Sequence, residues 1–356
     1  MVGRCYMDGN GVEQDQEKAF QYFQKASEAG DESAMFNLAD CYFNGLGTEQ
    51  SEEQAVPWYQ KAAEANISIA QYMLGTCYHF GKGVSPNEEL ALHWLRKAAE
   101  QDYVGAQYAL GTLLFRNEDS GENDAEAVRW LERAAELGDI GSQVKLGVCY
   151  QDGYYVLEQG KVCFKEDMEK AVELFQNAAE QGAAEGQFQL ANSYRFGLGV
   201  KKDVPKMLYW LRLSAMQGYA EAQYALGICY QDGIGVKADI EKAMDWYERS
   251  AAQNYPDAIC SVGMYYLDEE DDVETAKRLV YKAAQMDCPE AQYLMGMFLY
   301  EGDDSEEDEE AVAWFRMAAR YQNHGGAMGM LGYCYMNGTG VEQDDEMARV
   351  WLKRAA

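Results

Sequence analysis

The sequence predicts an all-α fold: a solenoid of about ten helix-turn-helix repeats, with a small β-hairpin inserted near residues 153–164. Three observations carry this reading. A period of 36 residues runs through the chain, a glycine turn separates two amphipathic patterns in each period, and each period closes on a residue that tolerates left-handed backbone.

The stretch from Ala222 to Asp257 displays all three. Ala222, Leu226, Cys229 and Tyr230 share one helix face, and Ala243, Trp246, Tyr247 and Ser250 share another. Between them stands Gly233-Ile-Gly235-Val236, which a continuous helix resists because each glycine costs about 1 kcal/mol relative to alanine. The unit is therefore helix A, a glycine turn and helix B. Asn254 then closes helix B in a left-handed conformation.

The first small residue of helix A recurs at Ala34, Ala70, Ala106, Ser142, Gly186, Ala222, Ala258, Ala291 and Ala327, with spacings of 36, 36, 36, 44, 36, 36, 33 and 36. Helix B carries small pairs such as Ala62-Ala63, Ala98-Ala99 and Ala251-Ala252. The left-handed positions fall at Gly30, Asn66, Asp102, Gly138, Gly182, Gly218, Asn254 and Asp287. Ahead of the first full repeat, residues 1–33 place Val2 and Gly3 in the Leu-Gly register of helix A. Ala355-Ala356 falls within a helix B, so the ragged ends predict a piece of a longer array. No Pro-rich run or composition break divides residues 1–356, which read as a single solenoid domain.

The 44-residue spacing places eight extra residues between helices A and B of the repeat that starts at Ser142. Tyr154, Tyr155, Val156 and Leu157 precede Glu-Gln-Gly, and Val162, Cys163 and Phe164 follow it, a pattern of two short strands around a turn. Either this hairpin folds back onto the adjacent helices, or Tyr154, Tyr155, Leu157 and Phe164 stay exposed to contact a partner or a second copy.

The pattern A-x-x-x-L-G-x-x-Y-x-x-G-x-G-V…A-x-x-W-x-x-x-A-A resembles the SEL-one-like repeat, a relative of the tetratricopeptide repeat. Tyr78, Gly81, Gly83, Val84, Ala91, Trp94, Ala98 and Ala99 carry the match, and it extends over essentially the whole chain. The departures are Leu174 and Leu279 in place of Trp, and the lack of paired glycines near residues 117, 269 and 303. The resemblance implies a right-handed α/α superhelix and a non-enzymatic adaptor that holds other proteins together. A regulatory or targeting part of an enzyme with its catalytic domain elsewhere is the alternative.

A net charge of −30, from 60 acidic and 30 basic residues, disfavours nucleic acid and anionic bilayers and favours a basic protein or peptide partner. The same surplus also serves solubility. Acidic turns hold Glu118, Asp119, Glu122 and Asp124, then Asp268 to Asp272, then Asp303 to Glu310; stacked repeats would align them along one edge.

Cys5, Cys41, Cys77, Cys149, Cys229 and Cys334 share one register, where other repeats place Leu113, Ser193, Tyr265 and Phe298. Cysteine there is a small apolar filler. Equivalent positions one helix diameter apart, ~10 Å, lie beyond disulfide reach. Some secreted members of the resembling family pair a helix A cysteine with one in helix B, and helix B has none here. The chain therefore reads as a reduced, cytoplasmic monomer with Cys163 and Cys288 as its exposed thiols; a lumenal or secreted origin would require a removed leader.

Catalytic signals are thin. Ser142-Gln-Val-Lys145 matches S-x-x-K without its companion motifs, and Ser142 sits in a packing register. His79, His93 and His324 form no ligand spacing, so no metal, cofactor or catalytic residue is assigned.

Alignment with tetratricopeptide positions implies that helix A lines a concave groove. Its second position carries aromatics in Phe36, Tyr72, Tyr108, Phe188, Tyr224 and Tyr293, and its ninth varies through Phe43, His79 and Phe115. Packing between neighbouring helices accounts for most of the aromatic stripe; variation at the ninth position suits specificity. The candidate groove comprises Phe43, Tyr72, Thr76, His79, Tyr108 and Phe115.

Overall fold

The computed structural model describes residues 2–115, 121–158, 161–268, 272–300, 305–320 and 324–356; at 121–122, 154–158, 161–165 and 305–306 it describes the backbone. The chain divides into two compact units, Met1–Gln181 and Gly182–Ala356.

In the first unit the elements are α1 (Val2–Asp8), α2 (Gln16–Glu28), α3 (Glu32–Asn44), α4 (Glu52–Glu64), α5 (Ser68–Phe80), α6 (Glu88–Glu100), α7 (Val104–Leu114), α8 (Gly121–Glu136), α9 (Ile140–Asp152), β1 (Tyr154–Glu158), β2 (Lys161–Lys165) and α10 (Met168–Glu180). The second unit holds α11 (Ala184–Phe196), α12 (Val204–Met216), α13 (Ala220–Asp232), α14 (Ile240–Ala251), α15 (Pro256–Asp268), α16 (Val273–Gln285), α17 (Pro289–Tyr300), α18 (Ser305–Ala318), α19 (Gly325–Asn337) and α20 (Asp345–Ala355). Within each unit every helix packs chiefly on its sequence neighbours, as a solenoid requires.

Each helix A ends on a left-handed glycine where the paired glycines are present: Gly45, Gly81, Gly197, Gly233 and Gly338. Helix B then starts on a polar cap. Asp15, Ser51, Asn87, Asp203 and Asp239 each accept the backbone N–H three residues on, satisfying a donor that the helix leaves open. The cap residue's own N–H donates to the helix A tyrosine carbonyl, as in Asn87 to Tyr78 at 2.8 Å and Asp239 to Tyr230 at 2.8 Å. The second glycine of each turn has a different task. A Cβ on Gly83, at φ +68°, would lie 2.3 Å from the carbonyl oxygen of Glu52, so this turn passes against the start of the preceding helix B.

The Leu-Gly signature also has a packing cause. A Cβ on Gly147 would stand 2.5 Å from the Phe175 ring, and one on Gly227 would stand 2.5 Å from the Tyr247 ring. Helices A and B of one repeat cross there, and a large side chain of B fills the space that the missing Cβ leaves.

All eight expected left-handed positions adopt positive φ, including the non-glycines Asn66, Asp102, Asn254 and Asp287 at 60–66°. One register differs from the sequence reading. In the repeat of α14 the small pair that faces inward is Ser250-Ala251 rather than Ala251-Ala252, with Ser250 fully buried and Ala252 exposed. The Ser250 hydroxyl donates to the Ala220 carbonyl at 2.8 Å, which makes a serine acceptable where other repeats use alanine.

The inserted residues form the predicted hairpin, β1 pairing antiparallel with β2 through Tyr155 opposite Phe164 and Leu157 opposite Val162. The hairpin backbone lies alongside α8. At its base the Asp167 N–H still donates to the Tyr150 carbonyl at 2.9 Å, the same staple used by uninterrupted turns. The insertion thus keeps this staple, although α9 ends on Gly153 at φ 92° and ψ 149° rather than in the left-handed conformation of the regular turns.

A candidate peptide-binding face

The candidate groove residues occupy successive A helices of the first unit, α3, α5 and α7. Each is engaged with its own neighbours. Phe36 and Phe43 flank the buried Tyr59 with ring centroids at 5.9 and 6.0 Å, and Lys82 Nζ lies 5.4 Å above the outer side of Phe43. Tyr72 packs on Tyr103 at 5.2 Å. Tyr108 covers Gly141, where a Cβ would meet its ring at 3.2 Å, yet the residue remains 36% exposed. Phe115, half-buried at the end of α7, has Lys145 Nζ 5.9 Å from its ring.

Two of the six residues contribute differently. The Thr76 hydroxyl donates to the Met73 carbonyl at 2.7 Å, so its hydrogen is committed to its own helix. His79 stacks edge-on against Phe80 at 4.4 Å, and Phe80 is 65% exposed, a surface aromatic that the ninth-position count passed over. The stripe at the second position is largely packing, as expected. Phe188 on Tyr219, Tyr224 on Tyr255 and Tyr293 on His324 repeat the contact between Tyr72 and Tyr103 at 5.5, 5.4 and 4.9 Å. One signal marks these pairs in sequence, an aromatic three residues before the next repeat's small residue.

The side chains of Tyr154, Tyr155, Leu157 and Phe164 lie outside the described residues, as does that of Cys163. So do most members of the acidic turns: 118–119, 269–271 and 303–304, and the side chains at 122 and 306. Of those described, Asp272 caps α16 by accepting the Thr275 N–H; the Thr275 hydroxyl and then that N–H hold its carboxyl below the usual range. Asp124 is half-buried, and burial pushes its carboxyl up. Much of the remaining acid sits in first turns of B helices, including Glu52, Glu53, Glu88 and Glu89, where the helix dipole favours it. Part of the basic complement lies over tryptophan faces three residues earlier, as in Lys61 on Trp58 at 4.0 Å and Arg249 on Trp246 at 4.6 Å.

The register cysteines Cys41, Cys77, Cys149, Cys229 and Cys334 are buried. Burial pushes the Cys41 thiol up to about 12 and Cys77 to about 11. Cys288 corrects the sequence reading. It is 1% exposed rather than a surface thiol, because it stands at the aromatic position just before α17 and points into the core beneath α15 and α16.

Ser142 is fully buried and its hydroxyl donates to Asp139 Oδ2 at 2.6 Å, a capping arrangement that uses the residue structurally. His324 caps α19 through Nδ1. Among the described residues no group of three or more His, Cys, Asp or Glu could hold a metal ion, and no helix is long and apolar enough to cross a membrane.

The Sel1 repeat model matches residues 1–31, 32–67, 68–103, 104–139, 141–182, 184–219, 220–255, 289–320 and 326–356. The repeat of α15 and α16, with its 33-residue spacing, falls outside these matches. Among solved structures, the chain is similar to c5321, described as a protective antigen present in uropathogenic Escherichia coli strains displaying an SLR fold. The identity is 31%, the TM-score 0.71, and the alignment covers 100% of this chain and 75% of that one. It is also similar to a Sel1 repeat protein from Oxalobacter formigenes, at 32% identity and a TM-score of 0.60, over 70% of this chain and 95% of that one. No curated protein matches the chain. From the repeat period to the matched fold, these findings agree that the chain belongs to the Sel1 repeat family.

Proposed function

We propose that the chain is a non-enzymatic scaffold that grips a protein through the A-helix face of its first unit, around Phe43, Tyr72, His79, Tyr108 and Phe115. Sel1 repeat proteins are generally protein–protein interaction scaffolds. The observation that carries the proposal to this face is the exposure of Tyr108 and Phe80 beside half-buried Phe43 and Phe115. These aromatics are already fixed by packing, so little side-chain entropy is lost when a partner covers them. The partner is an extended or helical segment with apolar anchors and a basic flank, matching the net charge of −30. The compartment proposed for this work is the cytoplasm, on the cysteine placement in the sequence.

The test is affinity capture from the native extract with wild type, Phe43→Ala/Phe115→Ala, and Phe80→Ala/Tyr108→Ala, at low and high salt. Loss of the same captured protein by both variants, with helical circular dichroism unchanged, is expected. Retention by both would place binding on another surface. Loss by the first variant alone, together with reduced thermal stability, would trace the effect to the packing of Phe43 on Tyr59.

A further inference from the structure

The aromatic pair that joins consecutive A helices is replaced at one place by two cysteines. Cys260 stands two residues after Ala258, the position held by Tyr72, Phe188, Tyr224 and Tyr293 in other repeats. Cys288 stands three residues before Ala291, the position held by Tyr103, Tyr219, Tyr255 and His324. In those repeats the two positions touch ring to ring at 4.9–5.5 Å. Both partners have changed together, in the one stretch where the repeat shortens to 33 residues. Cys260 and Cys288 are 4% and 1% exposed and share one core cluster with Val280 and Ala283.

We propose that Cys260 and Cys288 are an oxidation site, closing to a disulfide that ties α15 to the start of α17 when a small hydroperoxide reaches them. The neighbourhood divides the labour between the two sulfurs. Cys288 stands at the helix start and its thiol donates to Asp257 Oδ1 at 3.4 Å, a carboxylate placed to take its proton; the Cys260 thiol and then the Ala291 N–H favour its thiolate, while burial and the Asp257 charge work against it. Cys260 keeps its proton, because the thiolate beside it and its burial both push its pKa up. A cavity of about 400 Å³ lined by Tyr247, Cys260, Ser261, Met264, Tyr265 and Glu290 opens on Cys260, so a peroxide-sized molecule would approach the pair from that side.

The chemistry balances as two thiols and one hydrogen peroxide giving one disulfide and two waters. The Cys288 thiol gives its proton to Asp257, its sulfur attacks one peroxide oxygen, the O–O bond breaks, and the leaving hydroxide takes that proton to become the first water. The Cys260 sulfur then attacks the sulfenic sulfur, forming the S–S bond, and the second water departs with the Cys260 proton. The register cysteines fall 36 or more residues apart, without a second cysteine at the position that Cys288 holds.

The full chain, reduced and desalted, would be titrated with hydrogen peroxide, then denatured, alkylated, digested and mapped by mass spectrometry without reduction. The expected result is loss of two of the nine thiols, a linked Cys260–Cys288 peptide 2 Da lighter than its parts, and reversal by dithiothreitol. The oxidised chain should also melt several degrees above the reduced one, because the bond closes a loop in the unfolded chain. C288S should abolish the linked peptide while Cys41 and Cys77 stay alkylatable after unfolding. C260A, whose fold is checked by circular dichroism, gives a second route if C288S does not fold, and should stop at a sulfenic or sulfinic adduct on Cys288. Sulfinic acid on wild-type Cys288 without the cross-link, disulfides between chains, or no thiol loss at peroxide levels that oxidise free cysteine would overturn the proposal.

Discussion

The side-chain amide of Gln101, at the end of α6, donates to Oε1 of the buried Gln71 in α5 at 2.7 Å, and Gln71 in turn donates to the Ala63 carbonyl at 3.1 Å. The arrangement recurs as Gln181 to Gln143, Gln217 to Gln187 and Gln253 to Gln223, at 2.9, 2.8 and 2.8 Å. The amides of Gln71, Gln143 and Gln223 are thereby held from both ends, which is the condition for carrying a polar group inside a helical core.

Gln107 shows the arrangement broken. The residue thirty places on is Leu137, 56% exposed, and Gln107 Oε1 is buried without a partner. Leu137→Gln should supply the missing donor and stabilise the first unit by about 1 kcal/mol. Gln101→Leu should cost ~1–3 kcal/mol by leaving Gln71 in the state of Gln107. Urea unfolding of the two variants checks both signs.

Two glycines separate backbone conformation from close approach. Gly138, at φ +88°, has open space where a Cβ would go, whereas a Cβ on Gly83 would strike the Glu52 carbonyl. Gly138→Ala should cost only the left-handed penalty, about 1–2 kcal/mol. Gly83→Ala should cost that plus ~1–3 kcal/mol for the forced shift of the turn. Equal midpoints in denaturant would mean that the turn can move aside freely.

Deleting Tyr154 to Lys161 restores the 36-residue spacing. Because the hairpin lies alongside α8, its removal should uncover apolar helix surface and cost ~1–3 kcal/mol, read as a lower thermal midpoint. Unaltered melting would show that the hairpin shields nothing.

Alkaline stability follows from the buried thiols. Cys41 is raised to about 12, and Cys77, Cys149 and Cys334 to about 11, from an ordinary value of 9.0. The folded state therefore holds these protons when the unfolded chain has released them. Their contribution is complete below pH 9.0 and is lost as pH rises through 11 to 12. The thermal midpoint should fall steadily above pH 9.0, and Cys41→Ala should lessen the slope. A flat profile to pH 11 would contradict the assignment.

The fold was legible in the sequence because its constraints fall on residue types with few alternative uses. The paired glycines of the regular turns and a Gly, Asn or Asp at each expected helix B end point to positive φ, and those positions have it. The hairpin was legible from spacing, because a 36-residue unit has no room for eight more residues inside its helices. The glutamine network was not. Gln71 and Gln223 look like ordinary surface polars until their carbonyl and amide partners are seen, and the amide partners lie thirty residues away. The burial of Cys288 is hidden for a related reason: it lies in a connecting segment by sequence, yet that position packs against the preceding A helix in several repeats. At the candidate face, repetition identified the aromatics, while the exposure of Phe80 and the committed hydroxyl of Thr76 depend on local geometry.

The left-handed position at the end of helix B is glycine in some repeats and Asn or Asp in others, and the difference reaches into the denatured ensemble. Asn66, Asp102 and Asp287 lend side-chain oxygens to Gln71, Gln107 and Gln292 at 3.2, 3.3 and 3.3 Å. A glycine there cannot. Glycine also leaves the unfolded chain with more conformations to surrender, whereas asparagine accepts some strain in the native state and begins from a narrower set. The repeats that use Asn66 and Asp102 are thus stabilised partly by what the disordered polypeptide cannot do, and those that use Gly182 and Gly218 must draw more on native packing. Exchanging the two residue types between repeats would redistribute cooperativity along each unit without altering one turn of helix.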